Sequence, residues 1–159
     1  MRDVYSSHME QPGGNIAVAP HRVAGILGGV RTLGRRVRTA RDLRQTVEAG
    51  LPVAALDAAV RHVVGDGPGA TELKHGIVPK ATLHRRTRLT ADESQRLERL
   101  ARMTALAERV WENEDLAHEF LVTAQPQLGG ERPVDLARSD LGTREVEQLL
   151  AGIEYALPV

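Results

Sequence analysis

Leu128-Gly129-Gly130-Glu131-Arg132-Pro133 reads as a turn written between two helices. Upstream of it, Asn113 caps a helix over Glu114 to Ala124 with Leu116, Phe120 and Leu121 apolar, and Pro126 closes that helix. Downstream, Pro133 starts a one-turn helix to Arg138. A last helix, Arg144 to Tyr155 with Thr143 as cap, carries Val146, Leu149, Leu150 and Ile153 at the i, i+3, i+4, i+7 spacing of a single buried stripe. The C-terminal third is therefore a compact all-helical module.

The helical reading extends towards the N-terminus. Thr90 and Glu93 form a capping box for a helix to about Glu112, with Leu97, Leu100, Thr104, Ala107 and Trp111 facing inward and Arg96, Arg99 and Arg102 outward. Thr39 caps a helix to Ala49, stopped by Gly50. Pro52 opens a helix with Val53, Leu56, Val60 and Val63, ended by the Gly65–Gly69 run. A short helix over 70–75 stops at Gly76, and Pro79 opens another over Lys80 to Arg86 with Leu83 inward. Val23–Val37, apolar and rich in glycine, suits a short helix or a loop. Residues 1–21, with Ser6, Ser7, Pro12, Gly13, Gly14 and Pro20 and no apolar period, read as a disordered tail.

Composition agrees with a helical class. Aromatics are 3% of the 159 residues, so a core must be built from Leu, Val, Ile and Ala. There is no cysteine, which excludes disulfides and thiolate metal sites and fits a cytoplasmic location. No apolar run approaches the ~20 residues of a membrane span, and no signal-peptide pattern is present. The net charge of zero conceals an asymmetry. Residues 22–50 hold seven Arg against Asp42 and Glu48, a net +5, and residues 74–88 add five bases without an acid. Residues 108–159 hold eleven acids against four Arg, a net −7. Two surfaces with different partners would produce this pattern, and so would solvated helix faces.

Catalysis finds little support. His118-Glu119 begins like a zinc-protease helix, but position 122 is Val where a second His is needed. The six His are scattered, no pair shares a helix face at i, i+4, and no metal or cofactor site follows from spacing. The glycine runs match neither a phosphate loop nor a dinucleotide fingerprint. Thr71–Arg88, by contrast, has the layout of a helix-turn-helix: Ile77 and Val78 fill the turn, and Lys80, Thr82, His84, Arg85, Arg86 and Arg88 stand where phosphates and base edges would be met. A solvated basic helix is the alternative. Glu72 occupies a place where a small residue usually lets the two helices approach. Val146, Leu149, Leu150 and Ile153 are most simply core, and Glu154–Val159 is a frayed tail or a docking segment.

These pieces, in order, resemble the Xre/MbcA/ParS antitoxins with a C-terminal toxin-binding domain, over about Leu27 to Leu157. Gly50-Leu51-Pro52-Val53-Ala54-Ala55-Leu56 is similar to the family's "GLP…AL" helix start, and Pro79–Arg86 to its "P-x-x-T-L-x-R-R" recognition element. Leu89–Leu97 resembles "L-T-x-x-E-S-x-R-L", and Leu128–Leu136 resembles "L-G-G-x-x-P-x-D-L". Gly142, Val146, Leu149, Leu150, Ile153, Glu154 and Tyr155 carry the likeness into the terminal helix. The chain departs where Phe120-Leu121 replaces a frequent Trp-Leu, a swap within one kind of apolar slot.

The resemblance implies an all-α protein with a helix-turn-helix N-terminal half and a small helical toxin-binding domain. The expected parts are a tail (1–21), a DNA-binding region (22–89), a connecting helix (90–112) and a toxin-binding domain (113–159). It implies a non-enzymatic partner of a RES-domain toxin encoded nearby, a toxin that depletes NAD and whose active site the antitoxin blocks, with the operon's own operator DNA as second ligand. A homodimer within a larger hetero-oligomer is expected, with no catalytic residues, cofactor or metal. Toxin contacts are expected from Leu128, Gly129, Gly130, Arg144, Glu147, Leu150, Glu154 and Tyr155. The rival readings are a stand-alone helix-turn-helix repressor with a helical dimerisation domain and a small helical enzyme.

Overall fold

The computed structural model describes residues 17–157, and among them it is built from ten α-helices and a 3-10 turn without a strand. In order these are α1 Pro20–Ile26, α2 Gly29–Leu33, α3 Ala40–Glu48, α4 Val53–Val64, α5 Pro68–Ile77, α6 Lys80–Leu83, α7 Ala91–Trp111 and α8 Glu114–Val122. The 3-10 turn Pro126–Leu128, α9 Pro133–Leu136 and α10 Asp140–Ala156 complete the chain.

The organising element is α7. Leu97, Leu100, Met103 and Leu106 are buried to within 1%, each stabilising the fold by about 1.5–3 kcal/mol. Apolar side chains cover more than one face, because α1, α3, α4 and α5 pack on the helix from one half and α8 and α10 from the other. Its expected role as a connector is thus a central one: α7 is the core of both halves. Arg102, expected to face outward, lies under α10, donating to Glu98 and to Glu147 Oε1 at 2.8 Å.

Local signals set the helix starts. Thr39 and Thr90 each accept the amide three residues on, and Asp42 and Glu93 return the bond to the cap backbone. Asn113 accepts from the Leu116 amide. Gly50 takes φ +87°, and a Cβ there would meet the Leu89 carbonyl oxygen at 2.7 Å, so both conformation and space call for glycine.

Several expectations need correction. Of the expected tail, residues 1–16 lie outside the described residues; the rest is ordered, because Pro20 opens α1, Val18 packs on the core and the Ala17 carbonyl accepts from Arg109 at 3.1 Å. Val23–Val37 is mostly helical, as α1 and α2 broken at Gly28 (φ +103°). Gly76 does not stop α5, which continues to Ile77 with the Arg138 guanidinium against the glycine. Helix α6 is a single turn, because residues beyond it are drawn back to pair with the start of α4: the Val53 amide donates to Thr87 O at 2.9 Å and the Leu89 amide to Leu51 O at 2.8 Å. Helix α8 ends at Val122. Ser139, not Thr143, caps α10, accepting from the Gly142 amide at 3.0 Å. Leu116 is exposed, unlike Phe120 and Leu121. Glu154 belongs to α10 rather than to a tail.

Candidate functional site

The basic element is held by specific bonds. Lys74 Nζ donates to Asp57 Oδ1 at 2.6 Å, tying α5 to α4, and Val78 fills the turn with no exposure at all. Pro79 then turns the chain into α6. Lys80, His84 and Arg85 are exposed, and among the described residues no side-chain hydrogen bond or ion pair holds them. The other three expected DNA contacts have internal partners. The Thr82 hydroxyl donates to the Pro79 carbonyl at 2.8 Å. Arg88 Nη1 donates to the Gly50 carbonyl at 2.7 Å. Arg86 forks onto both oxygens of buried Glu93, at 2.8 and 2.9 Å. That fork, with the Thr90 cap bonds, holds the Glu93 carboxyl below its ordinary range and raises Arg86. The seven Arg of residues 22–44 are all exposed; Arg35 pairs with Asp42 and Arg44 with Glu48, and Arg44 borders the groove beside α10.

In the C-terminal segment, Gly129 and Gly130 take φ +68° and +82°, and the turn they make is closed by the Gln125 amide donating to Glu131 O at 3.0 Å. The eight residues expected to meet a toxin separate clearly. Leu128 and Leu150 are 5% and 0% exposed and belong to the core. Glu147 accepts from Arg102 at 2.8 Å, and Glu154 from Arg109 at 3.2 Å. Arg144 is exposed beside Asp140 at 3.0 Å. Tyr155 is 69% exposed. Arg144, Glu147 and Tyr155 border a groove of about 1050 Å³ between α10, α7, α3 and α1, where burial pushes the Glu98 carboxyl up despite Arg102 beside it. Leu141, exposed on α10, was not singled out in the sequence; its place off the 3.6-residue stripe was the available signal, whereas Leu157 continues the stripe and is exposed because α10 ends at Ala156.

The scattered histidines are partly reunited. His62 on α4 and His118 on α8 both meet Glu108 on α7 through Nε2, at 2.5 and 2.9 Å from one carboxylate oxygen. The Glu108 bond raises His62. Burial opposes ionisation of Glu108, but its two imidazole partners outweigh it and hold the carboxyl low. Three helices contribute one residue each, so no spacing in the sequence reveals the cluster.

Comparison with known proteins follows this geometry. Residues 42–102 match the antitoxin Xre-like helix-turn-helix domain, and residues 106–156 match the antitoxin Xre/MbcA/ParS C-terminal toxin-binding domain. The chain is also similar to the antitoxin Xre of Pseudomonas putida, 31% identical over 120 residues that cover 65% of this chain and 76% of that protein. The chain belongs to the Xre/MbcA/ParS-type antitoxins. The two matched segments meet inside α7, so the antitoxin's DNA-binding and toxin-binding parts share one helix as core. Its exposed Lys80, His84 and Arg85 lie in the DNA-binding segment, and its exposed Arg144 and Tyr155 in the toxin-binding segment. Among the described residues no helix is long and apolar enough to cross a membrane.

Proposed function

We propose that this antitoxin neutralises a RES-domain, NAD-depleting toxin by covering its active site, and that it represses its own operon through the basic helix-turn-helix. The observation that carries the reading is the exposed face of α10, where Tyr155 and Arg144 border an open groove at the acidic end of the chain. A cleft that accepts the pyrophosphate of NAD is basic, and a net charge of −7 over residues 108–159 complements it. Glu154 is paired with Arg109, so covering the cleft is the work of the folded helix rather than of a loose segment from residue 154 onward.

On the DNA side, Lys80, His84 and Arg85 contact the operator. Arg86, Arg88 and Thr82 act by holding the element in shape. Two such elements in a homodimer would read paired half-sites. The division into a DNA-binding region up to residue 89, a shared helix and a toxin-binding region from 113 belongs to this reading, as does a cytoplasmic location, where both NAD and operator DNA are found. No chemical step is assigned to the antitoxin itself.

Co-expression with the adjacent RES-like reading frame tests the proposal. The expected result is a copurifying complex that leaves NAD intact, and an operator fragment shifted by the complex. A neighbour that neither copurifies nor loses NAD-consuming activity would overturn it.

A further inference from the structure

Two imidazoles and one carboxylate from three helices converge where the two matched segments meet. His62 lies in the last turn of α4, within the helix-turn-helix segment; Glu108 on α7 and His118 on α8 lie within the toxin-binding segment. The two Nε2 atoms stand 2.5 and 2.9 Å from Glu108 Oε1. The rings meet edge-on with centroids 5.3 Å apart, and one ligating atom from each residue lies within 4.8 Å of the others. The side chains are mostly covered, at 32, 16 and 24% exposure for His62, Glu108 and His118. His118 also opens on a cavity of about 450 Å³.

This arrangement is more than a salt bridge between two groups. A single carboxylate oxygen meets two imidazole nitrogens at hydrogen-bond distances, so three atoms able to ligate an ion are already gathered in one place. Zinc binds imidazole nitrogen and carboxylate oxygen at about 2.0–2.2 Å, which puts neighbouring tetrahedral ligands about 3.3–3.5 Å apart. The present N···O distances need to open by no more than about 1 Å to reach that separation. Calcium and magnesium prefer sets made of oxygen, and thiophilic ions need the cysteine that the chain lacks. A second carboxylate, Glu114, acts electrostatically on His62 and adds negative charge at the cluster. The neighbouring cavity admits the water that completes a three-ligand site.

We propose that His62, Glu108 and His118 form a binding site for a divalent transition metal of the zinc class, which clamps the DNA-binding segment to the toxin-binding segment. The ion bonds α4 and α8 through α7. Its loading therefore sets how firmly the two functional halves hold one orientation. The inference does not depend on which toxin or operator the protein recognises.

The test uses the full chain, stripped with a chelator and titrated with zinc alone by calorimetry and thermal melting. One ion per chain is expected, with a melting temperature raised by roughly 5–10 °C at about a hundredfold excess over Kd. His118→Gln and Glu108→Gln should each weaken binding by at least about tenfold and lose most of the thermal response, with an unchanged metal-free circular dichroism spectrum. Cobalt in place of zinc reads the ligands without any substitution, through intense visible bands of four-coordinate nitrogen and oxygen ligation. Absence of zinc uptake by the wild-type chain overturns the proposal. So does uptake unchanged in both variants, or a cobalt spectrum like that of the hydrated ion.

Discussion

The Ser94 hydroxyl accepts the Leu51 amide hydrogen at 2.8 Å across 43 positions of sequence, and both residues are fully buried. With the Leu89 amide on Leu51 O and the Val53 amide on Thr87 O, it clips the start of α4 to the start of α7. Ser94→Ala strands a buried N–H and should cost about 1–3 kcal/mol, read as a lower midpoint in urea with an unchanged m-value. An unchanged midpoint would mean that the amide finds another partner.

Arg86 and Glu93 give stability a pH dependence. The Arg86 fork and the Thr90 bonds hold the Glu93 carboxyl below its ordinary value of 4.5. The folded protein therefore binds this proton more weakly than the unfolded chain. The pair's contribution is complete above about 4.5 and is lost as pH falls from there through the lowered folded value. Melting temperature should decline in that acid window, and Glu93→Gln should lower it at neutral pH while flattening that part of the acid decline. Parallel curves for the two proteins would contradict the assignment.

What the sequence disclosed was local. Thr39, Thr90 and Asn113 cap as expected, because a cap depends on residues within one turn. The stripe on α10 was legible for the same reason, with Val146 and Leu150 at 0% exposure. What stayed hidden depended on distant chain. Helix α5 passes through Gly76 where Arg138 packs, α6 stops after one turn because Thr87 and Leu89 pair with α4, and Arg86 is taken by Glu93. The site residues divided along the same line: Tyr155 and Lys80 are exposed, whereas Leu150 has no surface to offer a partner. The His62–Glu108–His118 cluster was illegible for want of any local period.

The division among the basic residues predicts two kinds of variant. Lys80→Ala and Arg85→Ala should weaken operator binding at low salt and reduce the slope of log K against log salt by about 0.9 for each phosphate contact removed. Their melting temperatures should stay within about 2 °C of the parent, since both side chains are exposed. Arg86→Ala should lower the melting temperature first, because it releases Glu93 and the α6 backbone together. Fluorescence anisotropy across a salt series, paired with thermal melts, separates the classes. An Arg86→Ala protein of full stability with a reduced salt slope would return Arg86 to the DNA surface.

On α10, exposure and burial make opposite predictions for neighbouring residues. Tyr155 is 69% exposed and Leu150 is 0% exposed, five positions apart on different faces of the same helix. Tyr155→Ala should cost toxin affinity of about 2 kcal/mol or more, roughly thirtyfold in Kd, because a large ring on a groove rim is the kind of anchor that dominates an interface. Arg144→Glu takes the acidic half two charges further negative and should speed association with a basic toxin cleft where charge guides the approach, with a smaller change in dissociation. Leu150→Ala should instead destabilise the antitoxin by about 2–5 kcal/mol through the cavity it leaves, and the fraction still folded should bind the toxin with parental affinity. Binding kinetics on immobilised toxin, run beside urea denaturation of each variant, resolve the three cases. If Tyr155→Ala and Arg144→Glu both bind like the parent, the exposed face of α10 is not where the toxin docks.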